Sequence, residues 1–280
     1  MDSSVKYSLY LLIILLVAGC TGEKADFIDR MEMEHENDQP VANAAAEIEQ
    51  NSEVATETVT YATVDGKEIT GYFAEPEDAE GDLPGLIVIH EWWGLNDNIR
   101  MMTRRLAGQG YRALAVDLYQ GEVAETSDKA STLARSVNQG QAVSNLEQAY
   151  SYLTEQQNAT KVGTIGWCFG GGWSLQTALA MPEKIDATVI YYGRLVTDAK
   201  QLMKLDMPIL GLFGEEDRGI PPSQVREFES TLKTLNKTVN VYIYENAGHA
   251  FANPSGNRYN EKAAEDAWKK TVVFFEKHLK

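Results

Sequence analysis

The chain predicts an α/β protein with a mostly parallel central sheet, helices on both faces and an antiparallel hairpin at the start of the sheet. Three observations carry this. Short, continuously apolar runs such as LIVIH (Leu86 to His90) and PILGLF (Pro208 to Phe213) read as strands buried on both sides. They alternate with longer segments of helical spacing, and strand–helix alternation builds a covered parallel sheet through right-handed crossovers. The first two strand-like segments, Thr58 to Val64 and Ile69 to Ala74, flank Asp65-Gly66, a turn signal for a hairpin.

The elements follow in order. After the hairpin and the polar turn EPEDAEGDLPG comes the LIVIH strand, then helical spacing from Ile99 to Gln109 and a strand from Ala113 to Leu118. Ser127 to Gln157 is polar and helix-permitting, with an expected break near Gly140. Lys161 to Trp167 is a strand, and Gly170 to Ala180 a helix stopped by Pro182. Strands are expected at Ala187 to Tyr192, Pro208 to Phe213 and Val239 to Tyr244, with a helix at Ser223 to Leu235. An amphipathic helix, Glu261 to Leu279, closes the chain. Residues 58–280 contain no repeat or linker-like stretch and read as one domain.

The first 57 residues are of another kind. Residues 1–19 place Lys6 before an apolar run from Leu9 to Ala18. That run is about half the ~20 residues a membrane-spanning helix needs, so the segment reads as a secretory signal. Its ending, Val17-Ala18-Gly19-Cys20, resembles the lipobox of bacterial lipoproteins, where the signal is cut before the cysteine and the thiol is lipidated. The resemblance implies anchoring in the bacterial cell envelope through Cys20. Thr21, in place of an Asp, favours the outer membrane or periplasmic face over the inner membrane.

Residues 20–57 are expected to be an acidic, solvated tether. Residues 21–57 hold 11 acidic against 2 basic side chains, so they carry −9 of the formal −16. His35 sits there among Glu34, Glu36 and Asp38, where a lone His is expected to be solvated rather than a metal ligand. An acidic body on an acidic tether excludes nucleic acid, which needs a basic surface. Membrane contact is expected only through the anchor, and the protein is expected to be a monomer.

Catalytic groups of a parallel sheet collect at the carboxyl ends of its strands, and three ends carry chemistry. The first reads Gly166-Trp167-Cys168-Phe169-Gly170-Gly171. This is a strand-to-helix elbow that presents a nucleophile, with Cys at its tip. The glycines leave room for the tight turn, and the following helix aims its N-terminus at the sulfur. A buried structural Cys in a tight turn is the plainer alternative. If Cys20 is lipidated, Cys168 has no disulfide partner in the chain.

The second end offers Asp217, with Glu215 and Glu216 as rivals, and the third offers His249 in Gly248-His249-Ala250-Phe251. The order Cys, Asp, His is the nucleophile–acid–base order of α/β-hydrolases. In that arrangement His takes and returns the proton while Asp fixes the imidazole tautomer.

Over residues 58–280 the chain resembles the dienelactone hydrolase family of the α/β-hydrolase fold. The anchors are His90-Glu91-Trp92-Trp93-Gly94-Leu95, Asp117-Leu118-Tyr119, the Cys168 elbow, Asp217 and Gly248-His249-Ala250-Phe251. The resemblance implies a triad of Cys168, Asp217 and His249. It makes Glu91 the carboxylate that contacts the thiol and helps ionise it when substrate displaces it. It also implies an oxyanion hole from the backbone N–H groups of Trp92 and Phe169, with Trp92 and Trp93 walling the pocket.

Family members that act on dienelactone hold its carboxylate with arginines, one of them four residues after the catalytic His. Asn253 takes that position here and is the candidate pocket residue. Arg135 is the only arginine between Gly121 and Ser136, and Arg194 and Arg258 are the remaining candidates near the pocket. A bidentate carboxylate clamp needs the guanidinium fork, so a neutral or larger ester or lactone is the expected substrate.

The leading reading is therefore a hydrolase of a small-molecule ester or lactone that works through an acyl-thioester, with no metal or organic cofactor. The alternative is a non-catalytic binding lipoprotein that keeps the fold. A thiol-redox role lacks a C-x-x-C pair or a resolving cysteine.

Overall fold

The computed structural model describes residues 27–35 and 53–280. The signal, Cys20 and the rest of the acidic segment lie outside the described residues.

One eight-stranded sheet forms the body, in the order β1-β2-β4-β3-β5-β6-β7-β8. Strands β1 (Val54–Val64) and β2 (Lys67–Pro76) make the hairpin around Asp65-Gly66, with a register shift between Thr60 and Ala62. β2 runs antiparallel to β4 (Arg112–Val116). From β4 onward all pairing is parallel, through β3 (Gly85–Ile89), β5 (Val162–Trp167), β6 (Ala187–Tyr191), β7 (Ile209–Gly214) and β8 (Val239–Tyr244). Every residue of β3, β5, β6 and β7 is buried, as their unbroken apolar sequences require. β8 alternates half-buried and exposed positions, which suits a sheet edge.

The flanking helices are capped where the sequence supplies a short polar side chain. Asn96 caps α2 (Asp97–Ala107) and Thr126 caps α3 (Ser127–Ser136). Asn138 caps α4 (Gln139–Ser151), which runs on into a π-helical turn at Tyr152–Gln156. The break expected near Gly140 therefore falls at Val137-Asn138, because the Asn138 side chain accepts the Gln141 amide and starts a new helix. α5 (Phe169–Ala180) packs on β5 and β6. A four-residue α6 (Ala199–Leu202), too short to show periodicity, follows β6. α7 (Pro222–Thr234) and α8 (Glu261–Leu279) complete the covering layers.

Two expectations for the acidic segment change. β1 begins at Val54, inside the stretch read as tether. Residues 27–34 form a helix, α1, docked on the body with Phe27, Ile28 and Met31 buried. Those three apolar side chains supply the contact surface that the composition of the segment as a whole conceals.

Candidate active site

Cys168 stands between β5 and α5 with φ 55° and ψ −115°, a conformation that L-residues rarely hold. The surrounding structure enforces it. Its amide donates to the Tyr191 carbonyl at 3.0 Å, and its carbonyl accepts the Gly172 amide at 3.2 Å. Gly166 and Gly170 are required by space alone. A Cβ on Gly166 would sit 2.1 Å from the Gly170 carbonyl oxygen, and one on Gly170 would sit 2.2 Å from that of Ile89. Phe169 opens α5, so its amide is among the first-turn donors that have no intrahelical acceptor.

Asp217 and His249 lie in the loops after β7 and β8, on the same edge of the sheet as the elbow. Asp217 Oδ1 accepts the Ile220 amide at 2.8 Å, which orients the carboxylate. Its Oδ2 lies 2.8 Å from His249 Nδ1, with both side chains fully buried. Glu215 and Glu216 are exposed, which separates them from the buried Asp217. With Nδ1 committed to Asp217, the base position is Nε2, which makes no hydrogen bond among the described residues. A ring nitrogen of His249, one of His35 and Cys168 Sγ all lie within 4.8 Å of one another.

The electrostatics favour an ion pair. Burial would push the Cys168 thiol up, but His249, and then His35, outweigh it and bring it down to about 6. Burial likewise opposes a charged His249, yet Asp217 and the Cys168 sulfur hold its pKa well above the ordinary imidazole value. Both shifts act in the direction of a thiolate beside an imidazolium.

Glu91, 2% exposed, follows β3. Asn253 Nδ2 donates to its Oε2 at 2.7 Å, and Asn98 Nδ2 approaches the same oxygen at 3.4 Å. The Asn253 Oδ1 accepts the Ser255 amide and hydroxyl at 2.9 and 2.6 Å. Asn253 therefore holds Glu91 in place, a role its position four residues after His249 did not announce. Trp92 and Trp93 are buried, with ring centroids 5.1 Å apart.

Their rings pack on His35, the group that sequence reasoning missed. Instead of being solvated, His35 is 2% exposed. Its ring centroid lies 4.6 Å from that of Trp92, 5.9 Å from Trp93 and 5.2 Å from His249. Its Nε2 is 3.8 Å from Cys168 Sγ. The signal that could have found it is the spacing of Ile28, Met31 and His35, one stripe of a helix at i, i+3 and i+7.

Two of the three arginines considered for the pocket hold this same segment. Arg135 on α3 pairs with Asp29 and, at 3.3 Å, with Glu32. Arg258 donates to the Glu34 carbonyl at 2.6 Å and carboxylate at 3.3 Å, and its second nitrogen meets His35 Nδ1 at 2.7 Å. Arg194, half-buried, follows β6 beside Gly172.

A parallel sheet with a strained elbow, a buried Asp–His pair and a lowered thiol defines an α/β-hydrolase. The chain belongs to the dienelactone hydrolase family, whose model matches residues 69–279. It is 32% identical over 249 residues to a Saccharolobus solfataricus protein provisionally named a carboxymethylenebutenolidase, covering 75% of this chain and 94% of that one. It is 33% identical over 228 residues to the protein usf of Aquifex pyrophilus, covering 76% and 95%. Among solved structures, a provisionally named dienelactone hydrolase of Klebsiella pneumoniae superposes with a TM-score of 0.72 at 28% identity, over 80% of this chain and 99% of that one. A dienelactone hydrolase-like promiscuous phosphotriesterase from metagenomic libraries shares the fold, with a TM-score of 0.74 at 24% identity over 82% and 100%. The protein is a carboxylic ester or lactone hydrolase of this family.

Proposed function

We propose that the enzyme cleaves its ester or lactone through Cys168. The sulfur attacks the carbonyl carbon, and the Trp92 and Phe169 amides stabilise the oxyanion. As the intermediate collapses, the C–O bond breaks and His249 gives its proton to the departing alkoxide, leaving an acyl-thioester on Cys168. His249 then takes a proton from water, the hydroxide attacks the acyl carbon, and the C–S bond breaks to release the acid and restore the thiolate beside the protonated His249. Asp217 holds the imidazole tautomer throughout. Glu91, held by Asn253, is a second carboxylate that takes the thiol proton in those molecules where Cys168 is not already ionised by its pairing with His249. The observation that carries this reading is the buried His249–Asp217 contact of 2.8 Å aimed at a sulfur in a strained elbow.

The substrate class is a neutral or larger ester or lactone. Asn253 stands four residues after His249, where family members that bind a carboxylate carry an arginine, and its amide is engaged with Glu91. The test is hydrolysis of p-nitrophenyl acetate and of a panel of esters and lactones by the full chain. Cys168→Ala should abolish turnover, and mass spectrometry of the native enzyme mixed with substrate should catch an acylated Cys168. Turnover that survives in Cys168→Ala would rule the mechanism out. The N-terminal pattern supports lipid anchoring through Cys20 to the outer membrane or periplasmic face. Cys20→Ala should then shift the protein from the membrane to the soluble fraction.

A further inference from the structure

We propose that residues 27–35 are a tethered plug that docks in the substrate site and keeps the enzyme closed. The proposal rests on Cys168 being the nucleophile.

The first argument is steric. A carbonyl carbon must come within about 3–3.5 Å of the sulfur to react. The His35 ring stands in that approach, with Nε2 3.8 Å from Sγ and its face on Trp92. With the segment docked, Cys168 is 1% exposed and His249 is fully buried, so no acyl group reaches them.

The second argument is that the contacts form a built docking surface. Phe27, Ile28 and Met31 are buried against the body. A Cβ on Gly219, two residues past Asp217, would lie 1.9 Å from the Met31 methyl, so the absence of a side chain there makes the seat for Met31. Ser131 Oγ donates to Glu32 at 3.0 Å, and Ser127 Oγ donates to the His35 carbonyl at 2.5 Å. Arg135 and Arg258 meet the three acidic side chains Asp29, Glu32 and Glu34.

The third argument separates a plug from a second base or a metal ligand. Arg258 has only N–H donors, so His35 Nδ1, 2.7 Å away, is the acceptor. The imidazole proton is therefore on Nε2 and points at the sulfur. In that tautomer His35 donates to a thiolate, neither removing its proton nor ligating a metal through Nε2. His35, Cys168 and His249 have the donor composition of a soft-metal site, but the Arg258 contact opposes it. The N–H···S contact instead parks the nucleophile as a thiolate that substrate cannot reach.

The test uses the full chain with Asp29→Arg and Glu32→Arg together. Neither residue belongs to the triad, and the change turns their two attractions to Arg135 into repulsions. Iodoacetamide alkylation of Cys168, followed by mass spectrometry, reads access to the sulfur whether or not any ester is a substrate. Labelling should accelerate by on the order of ten-fold, since two exposed attractions are lost and replaced by two repulsions. p-Nitrophenyl acetate hydrolysis should rise with it. Adding Arg135→Glu to the double variant should restore slow labelling. In the native chain, labelling should quicken with added salt, which screens exposed pairs.

Equal labelling rates in the native and double-variant chains would overturn the plug. So would faster labelling with slower hydrolysis, because His35 would then be assisting turnover. Faster labelling with no hydrolysis of any ester or lactone by either chain would leave the plug standing and remove the esterase reading.

Discussion

His35 Nε2 lies 3.8 Å from Cys168 Sγ across 133 residues of sequence, so the sulfur has two imidazoles beside it. Their ring partners differ. Asp217 holds Nδ1 of His249 and leaves its Nε2 for proton transfer, whereas Arg258 occupies Nδ1 of His35 and leaves a donor facing the sulfur. The neighbours of each ring, rather than its distance to the nucleophile, assign its chemistry.

The thiolate–imidazolium pair sets the pH dependence. The Cys168 pKa is lowered to about 6 and that of His249 is raised. Acid protonates the sulfur and removes the nucleophile, so kcat/KM for p-nitrophenyl acetate should climb with rising pH through about 6. It should fall again only where His249 loses its proton, well above the ordinary imidazole range. Because the two groups titrate as a pair, the limbs belong to the pair. Thiolate ultraviolet absorbance followed against pH should show the same lower midpoint.

Asp217→Asn should uncouple that pair. The imidazolium loses its buried counter-charge, so the thiol pKa should move up toward the ordinary value of about 8.5 and the acid limb should move with it. The loss in kcat should be about 10³- to 10⁴-fold, the scale of a wrong-tautomer histidine. An unchanged acid limb in a variant that still folds would show that Asp217 does not govern the nucleophile.

Gly166→Ala and Gly170→Ala should each destabilise the fold itself. The added carbon would stand 2.1 or 2.2 Å from a backbone oxygen, with no flexible side chain to give way. Overpacking of this kind costs about 1–3 kcal/mol, and backbone contacts belong at or beyond the upper end. A thermal melt should drop by several degrees or the variant should fail to fold. A melt equal to the parent's would mean that the elbow is not built as described.

Asn253 should prove to be a positioning residue for Glu91. Asn253→Ala removes the 2.7 Å donor, and Asn253→Asp sets a like charge against the carboxylate. A hydrogen bond to a charged group is worth about 1.5–3 kcal/mol, so kcat/KM should fall about ten-fold or more in Asn253→Ala. The fall should be larger in Asn253→Asp, with the Glu91→Gln background abolishing the difference between the two. If the two variants still differ by as much in Glu91→Gln, Asn253 acts on substrate instead.

The sheet and the elbow were legible because their signals are local. Strands buried on both sides must be continuously apolar, as β3, β5, β6 and β7 are. A chain that turns from β5 into α5 around a nucleophile needs small residues at Gly166 and Gly170. The boundary between α3 and α4 was misplaced because Gly140 looked like a breaker, while the Asn138 cap is what starts the new helix. Asp217 stood beside two rival acids in the sequence, and it was burial that separated it from them.

The sequence by itself determined the fold, the elbow and the chain order Cys168, Asp217, His249, since periodicity, steric room and strand-end placement are properties of short windows. Only the tertiary structure decided who stands next to whom. It put Asn253 on Glu91 across 162 residues, and it set α1, from a segment too acidic overall to suggest packing, against the mouth of the site. The physical reason is that docking of α1 depends on three apolar side chains, one histidine and complementary charges on Arg135 and Arg258. Those partners come from α3 and from the loop before α8, and no window of sequence contains both sides of that contact.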